Sequence, residues 1–287
     1  MRSAIRLLFV AVLGLLGFGA HAAPAPSYDL VIRNGHVIDG TGSPWYAADV
    51  AIKDGRIAAI GRLGDVDAKQ VIDAHGMVVA PGFIDMLDQS GHSLLVDGHA
   101  QSKIFQGVTT LITGEGESVA PLNDTILKEE HPRTPPQWRT LDDYFRHLQS
   151  QGIAVNLGTY VGAATAREMV IGYGDRKPTA DELARMQAIV AGAMRDGAFG
   201  VSTALQYPPA TYSTTPELIA LAKTAASYGG IYATHMRSEG DGEMAALDET
   251  FEIARTAHIP VEIFHLKVAG HSNWGTMPKV IAKIDAA

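Results

Sequence analysis

Apolar and polar positions follow one rhythm as far as Ala80 and another beyond it. From Tyr28 to Ala80 the apolar residues fall in short runs around glycine-containing pairs. Leu30-Val31-Ile32-Arg33 and His36-Val37-Ile38 flank Asn34-Gly35, and Val50-Ala51-Ile52-Lys53 and Arg56-Ile57-Ala58-Ala59-Ile60 flank Asp54-Gly55. Asn-Gly and Asp-Gly supply the positive φ angles of two-residue hairpins, so residues 23–80 are expected to form a small β-domain of hairpins. His36 and His75 adjoin turn signals, have no partner at ligand spacing, and read as surface residues.

After Pro81-Gly82 strand-like runs alternate with helical patterns. Candidate strands are Val78–Met86, Val108–Thr113, Ala154–Tyr160, Ala198–Thr203, Ile231–His235 and Val261–His265. Between them Thr179-Ala180-Asp181-Glu182 reads as a capping box opening a helix to about Arg195, with Leu183, Met186, Val190 and Met194 on one face. Thr215-Pro216-Glu217 places a cap and an N1 proline before a second helix, and Leu247, Phe251 and Ala254 mark the buried stripe of a third. The fold class this predicts is α/β, a TIM-type (β/α)8 barrel in preference to a doubly wound sheet. With about six βα units before Ala287, residues 81–287 are expected to be a partial barrel, the N-terminal portion of a longer protein. The prolines of His131-Pro132-Arg133-Thr134-Pro135-Pro136-Gln137-Trp138 exclude a regular element there, leaving a lid or a surface connection.

The first residues change the compartment. Arg2 and Arg6, an apolar run from Leu7 to Phe18 and Ala20-His21-Ala22 have the layout of a secretory signal, so residues 1–22 are set apart from the fold. The apolar run is short for a membrane span, and the mature protein is expected to be periplasmic or secreted, without stable membrane association. Losing two arginines and no acid moves the net charge from −8 to −10. Such a surface repels nucleic acid. With no cysteine, an exported chain has no disulfide to draw on, and core burial must supply its stability.

Three side chains suggest a metal. His235 and His265 each end an apolar run, 30 residues apart, about one strand-helix unit. Successive strands of a parallel barrel direct their C-terminal ends to one face, where active sites form. Glu115, flanked by Gly114 and Gly116, follows the second barrel strand with its side chain unobstructed. Glu115, His235 and His265 would then be a two-histidine, one-carboxylate set that leaves a coordination position open, as in catalytic zinc sites. Glu117 is the weaker choice of acid. Zinc there would lower the pKa of water towards neutrality and polarise a carbonyl.

Further stretches carry a resemblance. Tyr28–Gly42, Asp49–Gly61, Val78-Val79-Ala80-Pro81-Gly82-Phe83-Ile84-Asp85, Gln106-Gly107-Val108-Thr109-Thr110, Tyr207-Pro208-Pro209, Tyr232-Ala233-Thr234-His235-Met236-Arg237-Ser238-Glu239-Gly240 and His265-Leu266-Lys267 resemble the N-acyl-D-amino-acid deacylases of the amidohydrolase superfamily. The resemblance implies hydrolysis of the amide of a small N-acyl-D-amino acid or a related amide by a metal-activated water. Two departures, one in the metal site and one a C-terminal truncation, qualify it. Leu87 and Gln89 stand where the superfamily usually has a His-x-His pair, and Glu115 stands where many of these deacylases place a bridging cysteine. One zinc ion, on the Glu115, His235 and His265 side, is therefore expected. The family's general acid and base, an aspartate after the eighth strand, would lie beyond Ala287. Asp88, Glu239 and Asp241 could replace it, but read respectively as a strand-exit acid, a loop charge and a helix cap.

The substrate's free carboxylate would want a cation. Arg237 and Lys267, each two residues past a proposed ligand, either supply it or form rim ion pairs with Glu239 or another acid. Tyr207 either donates to the tetrahedral oxyanion or only shapes its loop. The alternatives to a deacylase are an amidohydrolase acting on a cyclic amide or small peptide, or a truncated, inactive ligand-binding relative.

Overall fold

The computed structural model describes residues 28–130 and 136–287, so the proposed signal segment and most of the proline-rich insertion lie outside the described residues. The chain forms two compact units divided between Pro81 and Gly82.

The first unit is a mixed sheet of β1 (Tyr28–Val37), β2 (Tyr46–Lys53), β3 (Arg56–Gly61), β4 (Ala68–Asp73) and β5 (Val78–Val79) in the order β3-β2-β1-β4, with β5 also on β1. Asp54-Gly55 makes the expected hairpin: Asp54 has φ 51° and Gly55 φ 70°, and Lys53 pairs with Arg56 across the turn. Asn34-Gly35 does not. β1 runs straight through it as a single strand, with a register irregularity between Ile32 and Gly35. Asn34 has φ 56°, its backbone N–H donates to Asp49 Oδ1 at 3.0 Å and its side chain to Asp73 Oδ1 at 3.1 Å. Both neighbouring strands thus hold the left-handed residue as a bulge, where a free Asn-Gly pair would have reversed the chain. His36 is half-buried and stacked on Trp45 at 3.8 Å, a correction to its surface reading, whereas His75 is exposed.

The second unit alternates strands and helices. β6 (Phe83–Asp85), β7 (Val108–Thr113) and β8 (Asn156–Thr159) are parallel, as are β9 (Val161–Gly162), β10 (Gly200–Ala204), β11 (Ile231–His235) and β12 (Val261–Ile263). Only Tyr160 separates β8 from β9, and its N–H donates to Thr113 O, so the two act as one strand position in a six-position parallel arc. The single strand expected over Val78–Met86 is instead two. Val78–Val79 bonds to β1 and Phe83–Asp85 to β7, because Pro81 offers no N–H with which to carry a ladder between them.

The two faces of the arc differ. Leu111, Val161, Val201 and Tyr232 pack in one core with helix residues such as Met186, Val190, Leu218 and Leu221. Ile112, Tyr160, Ala233 and Phe264 form a separate cluster on the opposite face. The helix Ala180–Arg195 has both halves of the Thr179–Glu182 capping box. The helix Thr215–Ala226 begins one residue earlier than the pattern suggests, with Thr214 at the N-cap. In the helix Glu243–Ala257 the N-cap is Gly242, so Asp241 is no cap; its carboxylate instead accepts from Asn273.

Candidate metal centre

Three strand exits bring the candidate ligands together. Glu115 Oε1 lies 3.0 Å from His235 Nδ1 and 3.0 Å from His265 Nε2. One ligand atom from each residue falls within 4.8 Å of the others, and the imidazole rings meet edge to face at 4.5 Å.

Each residue arrives differently. His235 is the last residue of β11, directly opposite Ala204 on β10, on the same face as Ala233. Strand alternation alone puts it there. On β12, Thr234 pairs with Ile263, which puts Phe264, not His265, at the level of His235. Phe264 joins Ala233 in the cluster away from the helices, so regular alternation would send His265 the other way. His265 has φ 34°, and this left-handed residue turns the imidazole back to the site.

Glu115 is re-aimed by its glycines. Gly114 has φ 92° and Gly116 φ 70°. A Cβ on Gly114 would lie 2.5 Å from Tyr160 O, and one on Gly116 would lie 2.4 Å from Ala204 Cβ. Glycine is needed here for conformation and for space. Fully buried Ser202 fastens the turn, its hydroxyl accepting from Gly116 N at 3.0 Å and donating to Gly114 O. Nothing in a Gly-Val-Ser-Thr strand singles out that serine; only the partner 88 residues away does.

The site's electrostatics follow from its partners. Burial works to raise the Glu115 carboxyl, but hydrogen bonds with His265, His235 and Gln89 outweigh it and hold the group below the ordinary glutamate range. Gln89 Nε2 donates to Glu115 Oε2 at 2.7 Å. Leu87 packs against the cluster containing Ile112 and Phe264. The two positions where the superfamily resemblance leads one to look for histidines thus hold an amide anchoring Glu115 and an apolar packing residue.

A second carboxylate stands behind the histidines. Glu239, read from sequence as a loop charge, is buried, with Oε1 3.0 Å from His265 Nδ1 and Oε2 3.7 Å from His235 Nε2. Its spacing of four from His235 was the available signal. Lys267 Nζ bonds Glu239 Oε1 at 2.5 Å and lies 3.1 Å from His265 Nδ1, while half its side chain stays exposed. Nearby Glu243 is 2% exposed, and neither carboxylate oxygen has a hydrogen-bond partner among the described residues. Burial, and then the charge of Glu239, raise its pKa against the pull of Lys267.

Arg237 takes the second of its two readings, an ion pair with an acid. Its guanidinium is committed to Glu249 at 2.8 and 2.9 Å and to the carbonyls of Thr211 and Ser213 at 3.0 and 2.9 Å. It clamps the loop that carries Tyr207. Tyr207 is exposed, with its ring 5.3 Å from that of His235, and lines a cavity of about 300 Å³ with Glu115, Gln89 and Ala210. Asp88 is buried and paired with Lys103 at 2.5 Å, so it belongs to the scaffold.

The donor set fits a divalent ion. A carboxylate and two imidazoles with their inner nitrogens aimed at the same oxygen form a borderline N/O set suited to zinc, and the outer nitrogen of His235 is buried without a hydrogen-bond partner. Residues 70–279 match the amidohydrolase family, and residues 16–83 match the N-terminal domain of the urease alpha-subunit. This chain belongs to the amidohydrolase family. It is 40% identical over 272 residues to a D-aminoacylase of Alcaligenes xylosoxydans xylosoxydans, covering 91% of this chain and 55% of that protein. It is 36% identical to an N-acyl-D-aspartate deacylase of the same organism, covering 92% of this chain and 54% of that one. The crystal structure of the N-acyl-D-glutamate deacylase from Bordetella bronchiseptica, complexed with zinc and a phosphonate inhibitor, superposes with a TM-score of 0.83 at 34% identity, covering 91% of this chain and 56% of that one. The chain spans about half the length of these relatives. The parallel arc thus has the metallo-dependent hydrolase barrel fold of these relatives.

Proposed function

We propose that this amidohydrolase hydrolyses the amide bond of N-acyl-D-amino acids or related small amides, using one zinc ion held by Glu115, His235 and His265. The observation that carries the reading is the single Glu115 oxygen 3.0 Å from one nitrogen of each imidazole. When bound, zinc supplies an activated water and a Lewis acid for the acyl carbonyl. The chain's own residues prepare that chemistry. Gln89 fixes the second Glu115 oxygen, so the first stays turned towards the imidazoles. The half-exposed Lys267 ammonium is positioned to meet the substrate's free carboxylate. Tyr207, held over the cavity beside His235, presents a phenol where an oxyanion would need a donor.

The same reading extends to the cell. The basic start, apolar run and Ala20-His21-Ala22 pattern support export and removal of residues 1–22, giving a periplasmic or secreted enzyme. Among the described residues no helix is long and apolar enough to cross a membrane. The test is an assay of this chain, supplied with zinc, against a panel of N-acetyl-D-amino acids and their L-enantiomers. Stoichiometric zinc with release of free D-amino acid is expected. Absence of bound zinc would refute the metal reading, and zinc binding without cleavage of any member, by this chain and by one extended through the downstream coding sequence, would refute the substrate class.

A further inference from the structure

Glu115 is not the only carboxylate facing both histidines. Glu115 meets His235 at Nδ1 and His265 at Nε2. Glu239 meets the opposite nitrogens, Nε2 of His235 at 3.7 Å and Nδ1 of His265 at 3.0 Å. The imidazoles are sandwiched between two acids, with the ring nitrogens used in crossed order. We infer that Glu239 is a positioning residue whose charge favours the N–H of His235 on its outer nitrogen, so that the nitrogen facing Glu115 presents a lone pair to an ion. The inference rests on the metal centre proposed above and adds to it the residue that prepares one of its ligands.

The argument is one of competition for a hydrogen. A neutral imidazole carries one N–H and one lone pair. With Glu115 alone, both N–H groups would favour turning inward to its carboxylate, a preference that a cation would have to overcome. An acid on the outer side reverses the preference, because a lone pair aimed at a carboxylate is repelled and an N–H is attracted. Metal-binding histidines generally donate their other N–H to such an outer partner, and losing it costs about 10–100-fold in metal affinity. Glu239 does this for His235 by its charge, 3.7 Å from a buried nitrogen that has no hydrogen-bond partner among the described residues; at His265 its carboxylate is 3.0 Å from Nδ1, but the hydrogen bond of that nitrogen is with Lys267. The burial of Glu239 strengthens its interaction with His235. Lys267 holds the Oε1 atom in place.

A structural ion pair with Lys267 is the competing explanation, and metal affinity separates the two. Zinc affinity of the full chain, Glu239→Gln and Glu239→Ala would be measured by competition with a chromophoric chelator, with circular dichroism as the check on folding. Glu239→Ala is expected to bind zinc about 10–100-fold more weakly. Glu239→Gln keeps an acceptor oxygen without the charge and should fall between the two. Cobalt-loaded Glu239→Ala should also show an altered visible d–d spectrum. A folded Glu239→Ala with unchanged affinity and spectrum would overturn the inference while leaving the metal centre intact. A wild-type chain that takes up no zinc would overturn both. Should the variants not fold, long-range ¹H–¹⁵N spectra of the metal-free wild-type chain decide the matter. The proton is expected on Nε2 of His235, and the reverse tautomer there would overturn the inference.

Discussion

The exits of β11 and β12 deliver the same side chain by different means. At β11 the strand is regular through His235, and the period of two is enough to face the imidazole into the site. At β12 the ladder is one residue out of step, Phe264 fills the position that matches His235, and a left-handed residue at His265 recovers the direction. Barrel geometry sets which end of the arc holds the site, but the aim of a ligand depends on local backbone. Glu115 sides with His265, because its direction also comes from left-handed backbone, supplied there by Gly114 and Gly116. The regular exit needs no special conformation; at Glu115 glycines take up the left-handed backbone freely, whereas at His265 a residue with a side chain carries a strain that neighbouring contacts must offset.

The comparison can be broken most directly at the ligands. Both His235→Ala and His265→Ala should weaken zinc binding by more than the roughly 100-fold that bounds the loss of an outer partner, as read by chelator competition. Retained affinity in only one variant would show that the two exits do not serve the same ion. Next in size is Gly114→Ala, which combines φ 92° with a Cβ 2.5 Å from Tyr160 O. It should cost about 3 kcal/mol in urea unfolding. Gly152→Ala, at φ 84° with nothing within 4 Å, isolates the conformational part and should cost only about 1 kcal/mol.

A finer contrast sets the histidines against each other. Glycine at 235 adds backbone freedom to a regular strand, whereas glycine at 265 also relieves a left-handed residue. In the metal-free chain His235→Gly should therefore be the more destabilising, by about 1 kcal/mol. Equal losses would mean that φ 34° at His265 stores no strain. The smallest effect expected is on pH dependence. The Glu115 carboxyl is held below its unfolded value, so its contribution to metal-free stability is present above about pH 4.3 and fades as pH falls through the lower folded value. Glu115→Gln should flatten that acid limb in urea titrations between about pH 5 and 3.

Much of this was legible in sequence wherever the signal is local. The capping box at Thr179–Glu182, the hairpin at Asp54-Gly55 and the stripe of Leu247 and Phe251 depend on residues a few positions apart, and each is present in the fold. Asn34-Gly35 misled because the same dipeptide serves a turn or a bulge, and the choice lies with Asp49 and Asp73 on other strands. Spacing leaves Arg237 open for a similar reason: two residues from His235, it finds its ion-pair partner in Glu249 on the following helix. Glu239 was undervalued because the charge of a residue in a loop says nothing about its burial. Lys267 and both imidazoles enclose it only once β12 has docked beside β11.

The sequence by itself determined the kinds of groups at the site and the strand exits that bear them: Glu115 between glycines, and His235 and His265 one βα unit apart. Apolar periodicity and glycine placement act over short distances along the chain, so they can be read without the fold. Tertiary structure decided the inner nitrogen of each imidazole, the one-residue offset that places Phe264 opposite His235, the hold of Ser202 on the Gly114–Gly116 turn, and the place of Glu239 behind both rings. Each depends on groups from different strands meeting within a few ångströms. Hydrogen bonds and charge interactions fall off too steeply for sequence spacing to stand in for that meeting.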